Sequence, residues 1–465
     1  MIAGGDFEWQ QKPFTYVLEA FPMTNKTLLE FLQKEQQHFS DPDQRSYLFS
    51  LQNPQVINLS TAENVLIFDR IKTVFQNSTS FAISDTKYPQ PFYGKASVRE
   101  MTAELLRKTF KLKELNAAHI SGVSGASAAL ECLAFALLSP GDSVLMPTPF
   151  WQGFKWCFEQ RPGTKIIPVN LTSQNGFELT VDAVKQVYNA ANPKPKALVL
   201  TNPHNPLGVN YSQQLLEELY SWVLTQTGMH IISDELYCHS QINQPGPDFV
   251  SAFALNAYQT NKNRVHIVWG FSKDFGLSGF RAGFIITTSE QVHNHVRSNS
   301  SQGISERYGW FSPFGSLQNF MLENLLSAEQ GELPSKVMQE YQQKLTYTYE
   351  EIQKLFDKVP DIKTHRLTRA AQFFWLDLRA YLDRVPPDQK FTLKDIDLLD
   401  YSAVDERENR LSKYMVQEGG VQLLQGQTLS CTEPGFFRLC FTCEEFDKVK
   451  QGVNQVIAAL EKLPK

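Results

Sequence analysis

The sequence predicts an α/β fold: a large domain on a mainly parallel sheet, followed by a smaller α+β domain. From about Gln55 onward, short apolar runs rich in valine and isoleucine recur, each the length of a buried strand. Amphipathic segments separate many of them, and strand–helix alternation favours parallel strands joined by crossover helices. After about residue 310 the alternation gives way to one long polar helical stretch and two isolated apolar runs. At 465 residues the chain also exceeds one ordinary core.

In chain order, residues 1–54 read as an N-terminal arm and part of the small domain, with a helix over Phe14–Leu32 and a polar run Lys34–Asp43. Residues 55–315 read as the large domain. Strands are expected at VINLS, ISGVSG, DSVLMPTP, TKIIPV, ALVLTNP, HIISDE, HIVWGFS and GFIITT. Helices are expected at Ser97–Lys111, Ala126–Leu138, Leu179–Ala191 and Ser212–Thr227. Residues 316–465 read as the small domain, with a helix over Glu332–Val359 and strands at AQFFWLDL and FFRLCF. The charged stretch Pro386–Arg410 lies between those two strands.

Composition narrows the function classes. Basic and acidic residues number 44 and 49, a net charge of −5, and no basic run tracks a phosphate backbone, so nucleic acid is not an expected partner. No run of eighteen apolar residues offers a membrane span, and MIAGGDFEWQQKPF lacks the basic and apolar regions of a secretory leader. The six cysteines are scattered. Cys440-Phe-Thr-Cys443 is the one CxxC, without a second pair or a nearby histidine, so no metal site is expected. Reduced thiols in a cytoplasm are the simplest reading.

The chemistry-bearing residues follow the strands, where α/β sheets place their sites. Asp234 ends the apolar run Ile231–Ser233, where a carboxylate needs a cation or a donor. Asp234 or Ser233 equally suits the cap of a following helix. Thr201-Asn202-Pro203-His204-Asn205-Pro206-Leu207-Gly208 is a rigid loop that can present an asparagine amide, or ordinary turn chemistry. Ser124-Gly125-Ala126-Ser127 opens a helix straight after a strand, which favours a phosphate or merely close packing. Phe150 and Trp151 follow Pro147-Thr148-Pro149, as core or as a flat face for a heteroaromatic ring.

Lys273 lies in GFSKDFGLSGFRAGF, a glycine-rich apolar turn, with Arg281 eight residues on. A solvated lysine is the bland alternative. Burial and a nearby cation both lower an amine's pKa and make it nucleophilic toward carbonyls. Arg281 can also hold a phosphate in its planar fork. An acid, an amide, a phosphate-ready helix end, a flat aromatic, a lysine and an arginine are together the parts that hold pyridoxal phosphate.

With PTPFWQGF, TNPHNPLG, SDELY, SKDFGLSGFRAG and CTEPGFFRLCF, the chain resembles pyridoxal-phosphate enzymes of the aspartate-aminotransferase fold. Within them it looks most like the 1-aminocyclopropane-1-carboxylate synthase branch, from Ala62-Glu63-Asn64 to Arg438. The resemblance implies fold type I, with a seven-stranded, mainly parallel sheet. It implies that Lys273 carries the cofactor as an internal aldimine and later moves the substrate's Cα proton, through a quinonoid stabilised by Asp234 at the pyridinium nitrogen. Asn205 and Tyr237 then bond the ring's phenolic oxygen and Phe150 stacks on the ring. Ala126, Ser127, Ser272 and Arg281 hold the phosphate. Arg438 grips the substrate carboxylate, unless it serves a structural salt bridge, and Glu63 lies near the substrate.

Two positions depart from the branch. Gly270 stands where a phosphate-binding serine is usual. Phe92, beside Tyr93, stands where a tyrosine reaches into the partner subunit's site. The expected function is that of a cytoplasmic, homodimeric enzyme with shared sites, acting on an α-amino acid. S-adenosylmethionine, losing methylthioadenosine by ring closure, γ-elimination or γ-replacement, is the leading expectation. A 2-oxo-acid-dependent aminotransferase and a non-catalytic cofactor-binding protein are the alternatives.

Overall fold

A computed structural model describes residues 55–77, 81–89, 91–110, 112, 114–297, 314–365, 368–393 and 396–464. The expected arm, with its Phe14–Leu32 helix, lies outside the described residues. β1 (Ile57–Asn58), α1 (Phe68–Gln76) and α2 (Ala96–Phe110) come first. The alternating part follows as β2 (Ile120–Ser124), α3 (Ala126–Leu137), β3 (Ser143–Pro147), β4 (Lys165–Val169), α4 (Val181–Ala190) and β5 (Ala197–Thr201). It continues with α5 (Gln213–Gln226), β6 (His230–Asp234), β7 (Val265–Gly270), β8 (Ala282–Ile286) and α6 (Glu290–Val296).

These strands form a seven-stranded sheet in the order β2-β8-β7-β6-β5-β3-β4. Only β8 runs antiparallel to its neighbours. Every residue of β3, β5, β7 and β8 is buried, as expected of strands covered on both faces. Two of the helices start where a hydroxyl satisfies a free N–H: Thr180 accepts from Ala183 at the start of α4 and Ser212 from Leu215 at the start of α5, both at 3.2 Å. The predicted bounds of these helices hold to within two residues.

The remainder comprises α7 (Ser316–Ser327), α8 (Leu333–Phe356), β9 (Lys363–Thr364), β10 (Phe373–Asp377) and α9 (Glu406–Gly419). β11 (Val421–Gln422), β12 (Leu424–Gln425), β13 (Phe436–Cys440) and α10 (Phe446–Glu461) complete it. An antiparallel sheet, β12-β13-β10-β9, lies at its centre. α8 is polar outside but buries Val337, Tyr341, Leu345, Ile352 and Phe356 at helical spacing.

VINLS, which sequence order groups with the large domain, pairs instead in parallel with β11. Gly452 of α10 leaves it room, since a Cβ there would stand 3.0 Å from Leu59. The charged 386–410 stretch is mostly exposed or half-buried but anchored at several points. Lys413 holds Asp397 at 2.8 Å and also pairs with Asp400. Buried Glu408 accepts from the Gly435 and Gln427 N–H groups at 2.6 and 3.1 Å, fixing the turn that leads into β13. Among the described residues no helix is long and apolar enough to cross a membrane.

Candidate active site

The parallel strands present their carboxyl ends at one edge, and Thr201, Asp234 and Val268 stand side by side in register there. The loops leaving β3, β5, β6 and β7 are those the sequence singles out. Asp234 is buried. Its Oδ1 accepts from the Leu236 N–H at 3.3 Å and its Oδ2 from the Thr201 hydroxyl at 3.4 Å, both long for a charged acceptor. Burial pushes its carboxyl up to about 6 against the pull of those two donors and Lys273. The helix expected after this strand does not form. Leu236–His239 is a turn, because His239 and Ser240 are bound by the carboxylate of Asp274.

Lys273 is recessed rather than solvated. Its Nζ donates to the Ala62 carbonyl at 2.6 Å. Burial is the main cause lowering its pKa; Glu63 and Cys440 oppose it, while Arg438 and Arg281 reinforce it. The cation effect expected from Arg281 acts in the same direction as burial and is the smallest of these influences.

At the edge of the sheet, α3 begins without a side-chain cap at Gly125, whose φ is 90°. A Cβ there would come 2.3 Å from Arg281 Nη2, so the glycine lets the guanidinium lie over the helix N-terminus. Arg281 Nη1 donates to the Ser278 carbonyl at 2.8 Å, and its own backbone is left-handed at φ 53°. Ala126 and Ser127 form the first turn of this helix, and Ser272 is buried. The serine missing at 270 has a physical cause. Gly270 faces Gly283 across β7 and β8, and a Cβ at 270 would stand 2.6 Å from the Ala282 carbonyl oxygen.

The third group forms around Arg438, which projects from the middle of β13 and is buried. Its Nη1 donates to Asn205 Oδ1 at 3.0 Å and its Nη2 to the Ser60 carbonyl at 2.6 Å. Its Nε has no partner, and its guanidinium lies 4.4 Å from the Phe373 ring centroid. Among the described residues no carboxylate pairs with it, so the salt-bridge alternative does not hold. Tyr237 packs edge-on against Phe373 at 5.4 Å. Phe150 is buried, its N–H donating to the Leu429 carbonyl at 2.7 Å.

The chain does not bring every candidate together. The Tyr93 ring lies 4.9 Å from each of the Arg99 and Arg297 guanidiniums, and Phe92 faces outward. Glu63 flanks the lysine turn by accepting from the Ser278 hydroxyl at 2.6 Å. Sequence reasoning missed Gln372 and Tyr341, which hold the lysine turn from behind. A polar residue inside the apolar run AQFFWLDL was a signal for Gln372; Tyr341, on a polar helix, carried none.

These residues fit pyridoxal phosphate. A buried carboxylate with weak partners suits a protonated ring nitrogen. An uncapped helix start under a guanidinium suits a phosphate. A buried guanidinium with an unpartnered Nε suits a substrate carboxylate.

Comparison with known proteins gives the same answer at family level. Residues 54–454 match the family model described as aminotransferase class I and II. The chain is 29% identical over 425 residues to 1-aminocyclopropane-1-carboxylate synthase CMA101 of Cucurbita maxima, covering 87% of this chain and 82% of that protein. It is 30% identical over 408 residues to 1-aminocyclopropane-1-carboxylate synthase of Nicotiana tabacum, covering 84% and 76%. Among solved structures it resembles the aromatic aminotransferase of Pyrococcus horikoshii OT3, with a TM-score of 0.66 at 21% identity, covering 90% of this chain and 98% of that one. It also resembles the aspartate aminotransferase of Thermus thermophilus with maleate, with a TM-score of 0.67 at 19% identity, covering 97% and 100%.

Proposed function

Since the chain belongs to the aminotransferase class I and II family and is a pyridoxal-phosphate enzyme, we propose that it acts on S-adenosylmethionine and expels methylthioadenosine. The carrying observation is Glu63. This carboxylate flanks Lys273 and is tied to the lysine turn through Ser278. A negative group there opposes an acidic substrate side chain and favours a cationic sulfonium. The relatives named above, both 1-aminocyclopropane-1-carboxylate synthases, support the same choice.

When bound, the cofactor supplies an electrophilic carbonyl carbon and a ring that takes up electrons released at the substrate's α-carbon. The protein's part divides by residue. Lys273 Nζ holds the cofactor and carries the α-proton. Asp234 would hold the ring nitrogen, Phe150 would cover the ring, and Tyr237 and the Asn205 amide would hold its phenolic oxygen. Because Asn205 Oδ1 is occupied by Arg438, its Nδ2 is the atom free to donate. The Ala126 N–H, Ser127, Ser272 and Arg281 would hold the phosphate, and Arg438 would hold the substrate carboxylate.

The protein acts as a homodimer in this reading. Phe81, Ile83, Tyr88, Phe92 and Leu317 expose apolar side chains on the surface where Phe81 packs on Phe320 and Ser316 on the Lys87 carbonyl. Phe92 therefore faces a partner subunit, where it offers a ring without a hydroxyl.

The test is incubation of the holoenzyme with S-adenosylmethionine and mass analysis of the products. Methylthioadenosine with a cyclopropane amino acid, or with a four-carbon elimination or replacement product, is expected. The aminotransferase reading, favoured by the solved structures of that name, takes over if the visible band responds only to ordinary amino acids with a 2-oxo acid acceptor.

A pH test bears on Asp234. Its folded pKa, about 6, lies above the ordinary 3.8, so the protein without cofactor loses stability as pH rises through that window. A cation on Asp234 removes the penalty. Cofactor affinity is therefore expected to fall as pH drops below about 6, where the acid is protonated. Asp234→Asn should bind more weakly and lose this share of the pH dependence. Equilibrium titration of both proteins from pH 5 to 8 measures it; parallel profiles would count against the assignment.

A further inference from the structure

Behind Lys273 lies a closed ring of hydrogen bonds that begins and ends at adjacent residues. The Lys273 carbonyl accepts from Gln372 Nε2 at 3.0 Å. The same nitrogen donates to the Tyr341 hydroxyl at 2.8 Å, and that hydroxyl lies 2.8 Å from Ser240 Oγ. Ser240 Oγ donates to Asp274 Oδ1 at 2.6 Å, which returns the ring to the residue after Lys273. Gln372, Ser240, Asp274 and Tyr341 are fully buried, so water does not compete for these bonds.

The two ends of the ring fix the direction of its bonds: Asp274 Oδ1 accepts from Ser240 Oγ, and the Gln372 amide nitrogen can only donate. A carboxylate only accepts, so Ser240 must spend its single hydrogen on it. Ser240 can then only accept from Tyr341, and Tyr341 can only accept from Gln372. Gln372 thus has one N–H for Tyr341 and one for the lysine carbonyl. Donors aligned this way polarise one another. The other Asp274 oxygen is satisfied by the His239 N–H and Nδ1, each at 3.1 Å, and by the Cys238 thiol at 3.6 Å. Cys238, His239 and Asp274 bring one ligand atom each within 4.8 Å in a metal-like grouping, but the thiol and the imidazole Nδ1 both face the carboxylate as its hydrogen-bond partners.

The ring also joins two parts of the protein. Tyr341 belongs to α8, and Gln372 immediately precedes β10, which pairs with the strand carrying Arg438. Asn64 adds a second donor to the Lys273 carbonyl at 3.0 Å.

We propose that Gln372, Tyr341 and Asp274 are positioning residues that clamp the Lys273 peptide, so that the amine returns to one place relative to a substrate held by Arg438. The clamp rests on the assignment of Lys273 as the cofactor's attachment point and not on the identity of the substrate.

Tyr341→Phe and Gln372→Met keep the packing volume and remove the bonds, and both are made as holoenzymes. Borohydride reduction and peptide mapping first locate the cofactor. With the label on Lys273, each variant is expected to lose about 10- to 100-fold in kcat with little change in KM, the scale of a small misplacement of a reacting group. The visible circular dichroism of the bound cofactor should weaken in both. The double variant should lose no more than the worse single one, since the residues act as one unit. Unchanged kcat and dichroism with only a lower Tm, or losses that multiply in the double variant, would overturn the clamp alone. A label on another lysine would overturn the attachment and the clamp together.

Discussion

Lys273→Ala is expected to lower turnover by about 10⁴-fold or more, at or beyond the upper end of what a positioned proton carrier supplies. The side chain serves as both covalent anchor and proton carrier, so no neighbour replaces it. Asp234 is committed to the strand end, and Arg438 and Arg281 are guanidiniums that do not give up a proton near neutrality. The variant should still fold, because the recessed amine makes one hydrogen bond, to the Ala62 carbonyl, and its removal relieves a buried charge. The decisive measurement pairs steady-state turnover with borohydride labelling. Residual activity within a hundredfold of the parent protein, or a label still fixed to the variant at this position's peptide, would refute the role of Lys273.

Arg438→Met should cost about 10²- to 10³-fold in kcat/KM, mostly through KM. The scale is that of truncating one partner of a buried, hydrogen-bonded charge pair, about 2–5 kcal/mol. Arg438→Lys should recover little of it, because a point charge does not reproduce the two-pronged contact with a carboxylate. Stability is expected to change modestly. Losing a buried cation without an anionic partner removes a desolvation cost, while Asn205 Oδ1 and the Ser60 carbonyl lose a donor. Substrate-concentration series on the two variants, with melting curves alongside, separate these effects. A kcat/KM within threefold of the parent protein would show that the substrate carboxylate is held elsewhere.

The residues legible in the sequence were those whose chemistry and neighbours along the chain coincide. Asp234 ends an apolar strand, Arg438 interrupts one and Lys273 stands in the apolar turn that follows one, places where a charged group requires a reason. The sheet was legible because its strands are apolar on both faces and its helices are spaced between them. Contacts that depend on folding at a distance were not. β1 meets β11 across more than three hundred residues, and Gln372 reaches Lys273 from a separation of 99. The turn after Asp234 escaped for the same reason, because the carboxylate that binds it comes from Asp274.

The close approach of Gly270 to the Ala282 carbonyl has a consequence for the redesign of this protein. Gly283, opposite it, is itself pressed against the start of α3, where a Cβ would lie 2.4 Å from the Gly125 carbonyl carbon and 2.7 Å from the Ala126 nitrogen. Gly125 in turn makes room for Arg281. The three glycines thus form one chain of close backbone packing. A serine placed at 270 forces the adjoining strand to move, because its Cβ would stand 2.6 Å from the Ala282 carbonyl oxygen and Gly283 is itself pressed against the helix terminus behind it. A library meant to add a hydroxyl to the phosphate cup at 270 therefore has to vary the neighbouring positions 125 and 283 alongside it.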